Sequence, residues 1–276
     1  MATLIGFSIL LTTLGQSGIQ TNQGVNFWLF NGAYSICLGV VAILILVFTK
    51  QPIKQSLGLD KKPFSVSQLL VLLGVVFVLL NLSVVVNKWF LQMLQGWGLD
   101  VKTSSVTSEQ ILQNPVLALV VACVLPAINE ELVFRGLVVK GISQKLGNVA
   151  SVLITGFLFA LFHGSPAQTL HQFVLGCVLS YVAISTQSVV LPVIAHFFNN
   201  LSAVLLALFV EPTNFYATNQ WLVVAVGVVL LGALGYIGYR KFKLPSNQIE
   251  KDNTSPYDLL FVATALFCMY MWTGVL

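Results

Sequence analysis

The chain has 276 residues, of which 57% are apolar and only 8% charged. A soluble domain carries about 25% charged residues, so a water-soluble fold is excluded and an integral membrane protein is expected. The formal charge of +4 matters less for its size than for where the positive residues fall, and no nucleic-acid partner is expected.

Taken in order, residues 2–14 are apolar but shorter than the roughly twenty residues needed to span. No Lys or Arg precedes them and no small-residue cleavage site follows, so an interfacial or re-entrant segment is expected rather than a signal peptide. The first full span is read at 25–49, followed by Lys50, Lys54, Lys61 and Lys62. A second covers 66–86, and residues 89–97 beyond it alternate aromatic and polar side chains like an interfacial belt. A polar loop at 100–114 leads to Pro115, which suits the first turn of a third helix at 115–139. Lys140 and Lys145 end that helix. The fourth span is read at 149–163, broken by Gly164-Ser165-Pro166, and the fifth at 169–185. A polar link at 186–188 opens the sixth at 189–210. The seventh is read at 221–239, with Arg240, Lys241, Lys243 and Lys251 after it, and the eighth at 259–275. Gly232, Gly235 and Gly238 give the seventh helix a thin face for packing within the bundle or between subunits.

The expected fold class is therefore all-α: one polytopic membrane helix bundle over residues 1–276, with about eight spans. Loops at 50–65, 140–148, 186–188 and 240–257 fall on one side. Three of them, at 50–65, 140–148 and 240–257, hold ten of the thirteen Lys and Arg, against Lys88 and Lys102 opposite, while Arg135 lies within a span. The positive-inside rule makes that side cytoplasmic, in a cell membrane with both termini outside. The cysteines, Cys37, Cys123, Cys177 and Cys268, all lie in apolar runs without C-x-x-C spacing. They read as packing residues rather than a disulfide frame or thiolate metal site.

Against this apolar background the third helix carries Glu130, Glu131 and Arg135. Each charge at a helix centre costs roughly 2.5–3.5 kcal/mol on translocon scales, which makes such groups candidates for function. Glu131 and Arg135, at i and i+4, share a face and can pair, which holds Glu131 ionised. Glu130 is rotated about 100° away and cannot use the same partner equally well. A desolvated carboxyl beside an ionised one is suited to general acid or base work. The fourth helix ends with Phe159 and His163 at i and i+4, and the sixth carries His196 and Asn200 at the same spacing. At 1.5 Å per residue, Glu130 lies roughly 15 Å and His196 roughly 12 Å from the cytoplasmic boundary. His163, at roughly 21 Å, meets them if its helix tilts or starts a turn later. His171 has no partner at helical spacing and is assigned a plain hydrogen bond to a neighbouring helix. No H-E-x-x-H or G-x-S-x-G is present, which disfavours zincin and serine chemistry.

The three motifs E-E-x-x-x-R (Glu130, Glu131, Arg135), F-x-x-x-H (Phe159, His163) and H-x-x-x-N (His196, Asn200) occur in that order. Together they resemble the motifs of the CPBP intramembrane proteases, the family of type II CAAX prenyl endopeptidases and of bacteriocin-processing and self-immunity proteins. The likeness covers a motif-bearing core at about 115–210. It implies an eight-helix membrane fold whose site lies within the bilayer and opens to the cytoplasm. Glu130 and His163 would activate the attacking water, His196 and Asn200 would stabilise the oxyanion, and Glu131, Arg135 and Phe159 would support them. The substrate would be a peptide or protein, membrane-associated or prenylated. Glu130, His163 and His196 are also a possible zinc ligand set. The metal-free mechanism, with no cofactor, is preferred because a carboxylate pair with its own arginine suits a tuned base and an Asn amide is a poor zinc ligand. The alternatives are a non-proteolytic scaffold or immunity protein of the same family, or a proton-coupled transporter. The absence of a visible internal repeat weighs against the transporter.

Overall fold

A computed structural model describes residues 25–61, 64–98, 106–210 and 214–246. The described residues are helices and connecting turns, with no strand among them. Seven helices make the body: α1 Val25–Phe48, α2 Val66–Gly96, α3 Pro115–Ser143, α4 Asn148–Phe162, α5 Thr169–Thr186, α6 Val190–Phe209 and α7 Gln220–Lys241. Six of them are long and apolar enough to cross a membrane; α4 is the shorter exception. The chain is thus a multi-pass helical membrane protein, as its composition requires. The expected segments at 2–14 and 259–275 lie outside the described residues.

Two expectations are corrected. The second span does not stop at residue 86: α2 runs 31 residues to Gly96, so the supposed belt at 89–97 continues the helix. Its aromatic content still serves the end of the bundle, where Trp89 Nε1 donates to Gln220 Oε1 at 3.2 Å and its ring tilts against Trp221. The fourth segment has the expected position and length, 15 residues. At 1.5 Å per residue it covers roughly 22 Å, against a hydrocarbon core of about 30 Å. Within the expected polar loop at 100–114, Ser108–Gln113 forms a short helix, capped by Thr107 and anchored by buried Ile111.

The helix α3 lies at the centre, touching α1, α4, α5 and α6. It is not uniformly α-helical. Leu119–Val124 and Phe134–Val138 are wound as π-helix. The first stretch ends just before Pro126, which lacks an N–H and would clash with the preceding turn of a regular helix; the wider winding accommodates it. All five residues of the second stretch are buried. Between the two stretches stand Glu130 and Glu131. The main core, with Phe134, Phe159, Phe162, Leu175 and Leu179, gathers around this part of α3. Lipid is as apolar as these side chains, so close packing and interhelical hydrogen bonds hold the helices together. Closeness is greatest between α4 and α5, where a Cβ on Gly176 would stand 2.9 Å from Gly156 Cα.

The described residues of the loops assigned to one side by charge share one end of the bundle. Val189 N–H donates to Leu57 O at 3.1 Å, joining the 186–188 link to the loop after α1. Lys140 Nζ, near the end of α3, donates to the carbonyls of Gln55 and Ser56. Gln68 Nε2 donates to Lys241 O at 3.3 Å, and Asn148 Nδ2 to Pro245 O at 2.8 Å. At the opposite end Tyr216 donates to Asn81 and Ser108 to Ala207 O.

Candidate active site

Four helices bring polar side chains to one place. From α3 come Asn129, Glu130, Glu131 and Arg135. The C-terminal turn of α4 and the residue after it supply Phe159 and His163. From α5 come His171 and the carbonyl of Gly176, and from α6 His196, Asn199 and Asn200.

Glu131 and Arg135 pair as their spacing predicts, Nη1 to Oε1 at 2.7 Å, and both side chains are wholly buried. The same Oε1 accepts a second hydrogen bond from His196 Nδ1 at 2.8 Å, across 65 residues of sequence. Arg135 Nη2 donates to Gly176 O at 3.1 Å, and its guanidinium centre stands 4.4 Å from the Phe159 ring centroid. A desolvated cation over an aromatic face gains about 2 kcal/mol. Phe159 also turns an edge to both imidazoles, 4.7 Å from His163 and 5.7 Å from His196 between centroids. It thus packs against the arginine and both histidines. Asn129 Nδ2 donates to Ser35 Oγ on α1 at 3.2 Å. A Cβ on Gly39 of α1 would overlap the Asn129 side-chain amide, so the residue next to Glu130 needs glycine opposite it.

The two histidines are fixed in the same sense. His163 Nδ1 faces Phe159 O at 2.8 Å; a carbonyl only accepts, so Nδ1 carries the proton and Nε2 the lone pair in the neutral ring. His196 Nδ1–H likewise donates to Glu131. Both Nε2 atoms are thereby freed for the site, and each lies 3.9 Å from Glu130 Oε2. That oxygen is buried and has no hydrogen-bond partner among the described residues. The helix of His163 starts at Asn148, not a turn later, and still delivers the ring to Glu130.

A water hydrogen-bonded at about 2.8 Å to atoms 3.9 Å apart subtends roughly a right angle. A zinc ion bound at about 2.1 Å in tetrahedral geometry would bring its ligand atoms within about 3.4 Å of one another. Glu130 Oε2 stands farther from each Nε2 atom than the ligands of one zinc ion stand from each other.

The structure thus gathers Glu130, Glu131, Arg135, Phe159, His163 and His196 into direct contact. Asn200 stands four residues from His196 on the same face of α6, and the contact shown for its side chain is with Asn199. Its Oδ1 accepts from Asn199 Nδ2 at 3.1 Å, and Asn199 Oδ1 faces His171 Nε2 at 3.1 Å. His171 makes the interhelical hydrogen bond assigned to it. Asn199 was not singled out from sequence; its signal was a second amide inside an apolar helix, next to Asn200. The Gly176 carbonyl left no sequence signal of its role, because any residue offers one.

The core of this helix bundle thus holds a pair of carboxylates and two imidazoles. Residues 112–202 match the family model described as Type II CAAX prenyl endopeptidase Rce1-like, a span that includes all three motifs, and this supports membership of the CPBP family of proteases. No curated protein and no solved structure matches the chain.

Proposed function

We propose that the chain is an intramembrane endopeptidase that hydrolyses a peptide bond with a Glu130-activated water, without a metal, at a site open to the cytoplasm. The observation that carries this reading is the unpartnered Glu130 Oε2 between two Nε2 atoms at 3.9 Å. A water there donates one proton towards Glu130 and the other to His163 Nε2. As its oxygen attacks the carbonyl carbon, Glu130 takes the first proton. The new oxyanion receives an N–H donor from Asn200 Nδ2 and faces the Nε2 edge of His196, whose ring Glu131 holds through Nδ1; a proton on that Nε2 makes it the second donor. Collapse breaks the C–N bond, and the proton on Glu130 passes to the leaving amine. Preorganised donors of this kind commonly supply about 10²–10³ in kcat each. The substrate class is a membrane-associated peptide or protein, with a prenylated C-terminus as the form that the family description suggests.

The test uses purified protein with two quenched-fluorescent peptides, one ending in a farnesylated CAAX sequence and one unprenylated. Wild type is expected to cleave at least one of them, with Glu130→Gln and His163→Ala inactive yet correctly inserted. Activity is expected to persist after exhaustive chelation. Full activity in Glu130→Gln would sink the assignment, and loss on chelation with rescue by zinc would replace the metal-free mechanism.

A further inference from the structure

We propose that His171 and Asn199 are positioning residues that act through Asn200, turning its amide so that the Nδ2 end faces the substrate oxyanion. This rests on the endopeptidase reading above. An asparagine amide has nearly the same shape either way round, but only the nitrogen end can donate to an oxyanion. The hydrogen bond that the structure gives the Asn200 amide comes from outside the Glu130 group. The partner is Asn199, whose Nδ2 donates to Asn200 Oδ1 at 3.1 Å. Asn199 has the same ambiguity. It is resolved by His171 on α5, whose Nε2 meets Asn199 Oδ1 at 3.1 Å. Oδ1 only accepts, so His171 carries its proton on Nε2.

The polarity runs one way: His171 Nε2–H to Asn199 Oδ1, Asn199 Nδ2–H to Asn200 Oδ1, and Asn200 Nδ2–H left for the substrate. Were the His171 proton on Nδ1 instead, Nε2 would accept, both amides would reverse, and an oxygen would confront the oxyanion. Both relay residues are buried, His171 at 8% and Asn199 at 3% exposure, and the bond between them is buried too. The position of one proton on α5 thereby sets the chemistry offered by α6.

Asn199→Asp separates this role from ordinary packing. The aspartate still accepts from His171 but has no proton for Asn200, which then turns its Nδ2 towards the carboxylate. With whichever of the two peptides wild type cleaves, kcat is expected to fall about 10²-fold with KM unchanged. Asn200→Ala should lose as much, and the Asn199→Asp/Asn200→Ala pair no more than either alone. His171→Gln, which retains an N–H donor, is expected to keep most of the activity that His171→Leu loses. Wild-type kcat in folded Asn199→Asp, or losses that multiply in the pair, overturns the proposal. A second readout needs no turnover: nitrogen-15 NMR of the wild-type histidines is expected to find His171 as the Nε2–H tautomer, and the Nδ1–H tautomer overturns the relay. If wild type cleaves neither peptide, it is the endopeptidase reading that fails, and the tautomer still decides the relay's polarity.

Discussion

Glu131 Oε1 serves two partners at once, the Arg135 guanidinium and the His196 ring. The arginine neutralises the carboxylate, and the carboxylate fixes which nitrogen of His196 faces Glu130. Charge compensation and orientation can be separated by mutation. Removing one member of a buried pair leaves an uncompensated charge and costs about 3–5 kcal/mol, whereas replacing both by apolar residues is often neutral. Arg135→Met alone should therefore lower the thermal midpoint sharply. Glu131→Leu/Arg135→Met should regain stability but not turnover, because His196 has lost its acceptor. Thermal unfolding in detergent and kcat for the same variants check this; a stable double variant with wild-type turnover would refute the orienting role. The Glu131–Arg135 half of this unit was legible in the sequence, since i and i+4 spacing is a local fact. The His196 half was not, because it depends on how α3 and α6 pack across 65 residues.

At the scale of elements, hydropathy located each of the helices α1 to α7 to within a few residues, except the end of α2. Periodicity could not reveal the two π-helical stretches of α3, which differ from α-helix only in the hydrogen-bond register of buried backbone. Pro126 was the visible trace of one of them. The same holds for α4 and α5, whose close approach rests on Gly156 and Gly176. A Cβ at Gly176 would meet Gly156 Cα at 2.9 Å and Phe159 Cβ at 3.2 Å. The side chain of Gly176→Val must push the two helices apart. That moves Phe159 from Arg135 and the residue 176 carbonyl from Nη2. Overpacking of this kind typically costs 1–3 kcal/mol, and here activity should fall with stability. Gly232→Ala is the matched control on α7: a Cβ there has nothing within 4 Å, so stability should change by less than about 0.5 kcal/mol. Equal behaviour of the two variants in melting and cleavage assays would mean that the α4–α5 contact is not what holds the site.

For the whole molecule, the basic residues and the hydrogen bonds between loops agree on which ends of the helices lie together. The loops at 50–65, 140–148, 186–188 and 240–257 were grouped by alternation and charge, and the contacts of Leu57, Lys140, Asn148, Val189, Lys241 and Pro245 place their described residues at one end. This much follows from sequence because charge and span count are global properties that need no packing detail. Which end faces the cytoplasm is set by insertion, where an excess of Lys and Arg is retained inside. A thiol label can read it directly. With the native cysteines replaced, single cysteines at Lys50 and at Lys243 should resist a membrane-impermeant maleimide in intact cells and react once the membrane is permeabilised. One at Gln95, exposed at the far end of α2, should react without permeabilisation. The reverse pattern would turn the site towards the outside, and the proposed endopeptidase would then have to meet its substrates there.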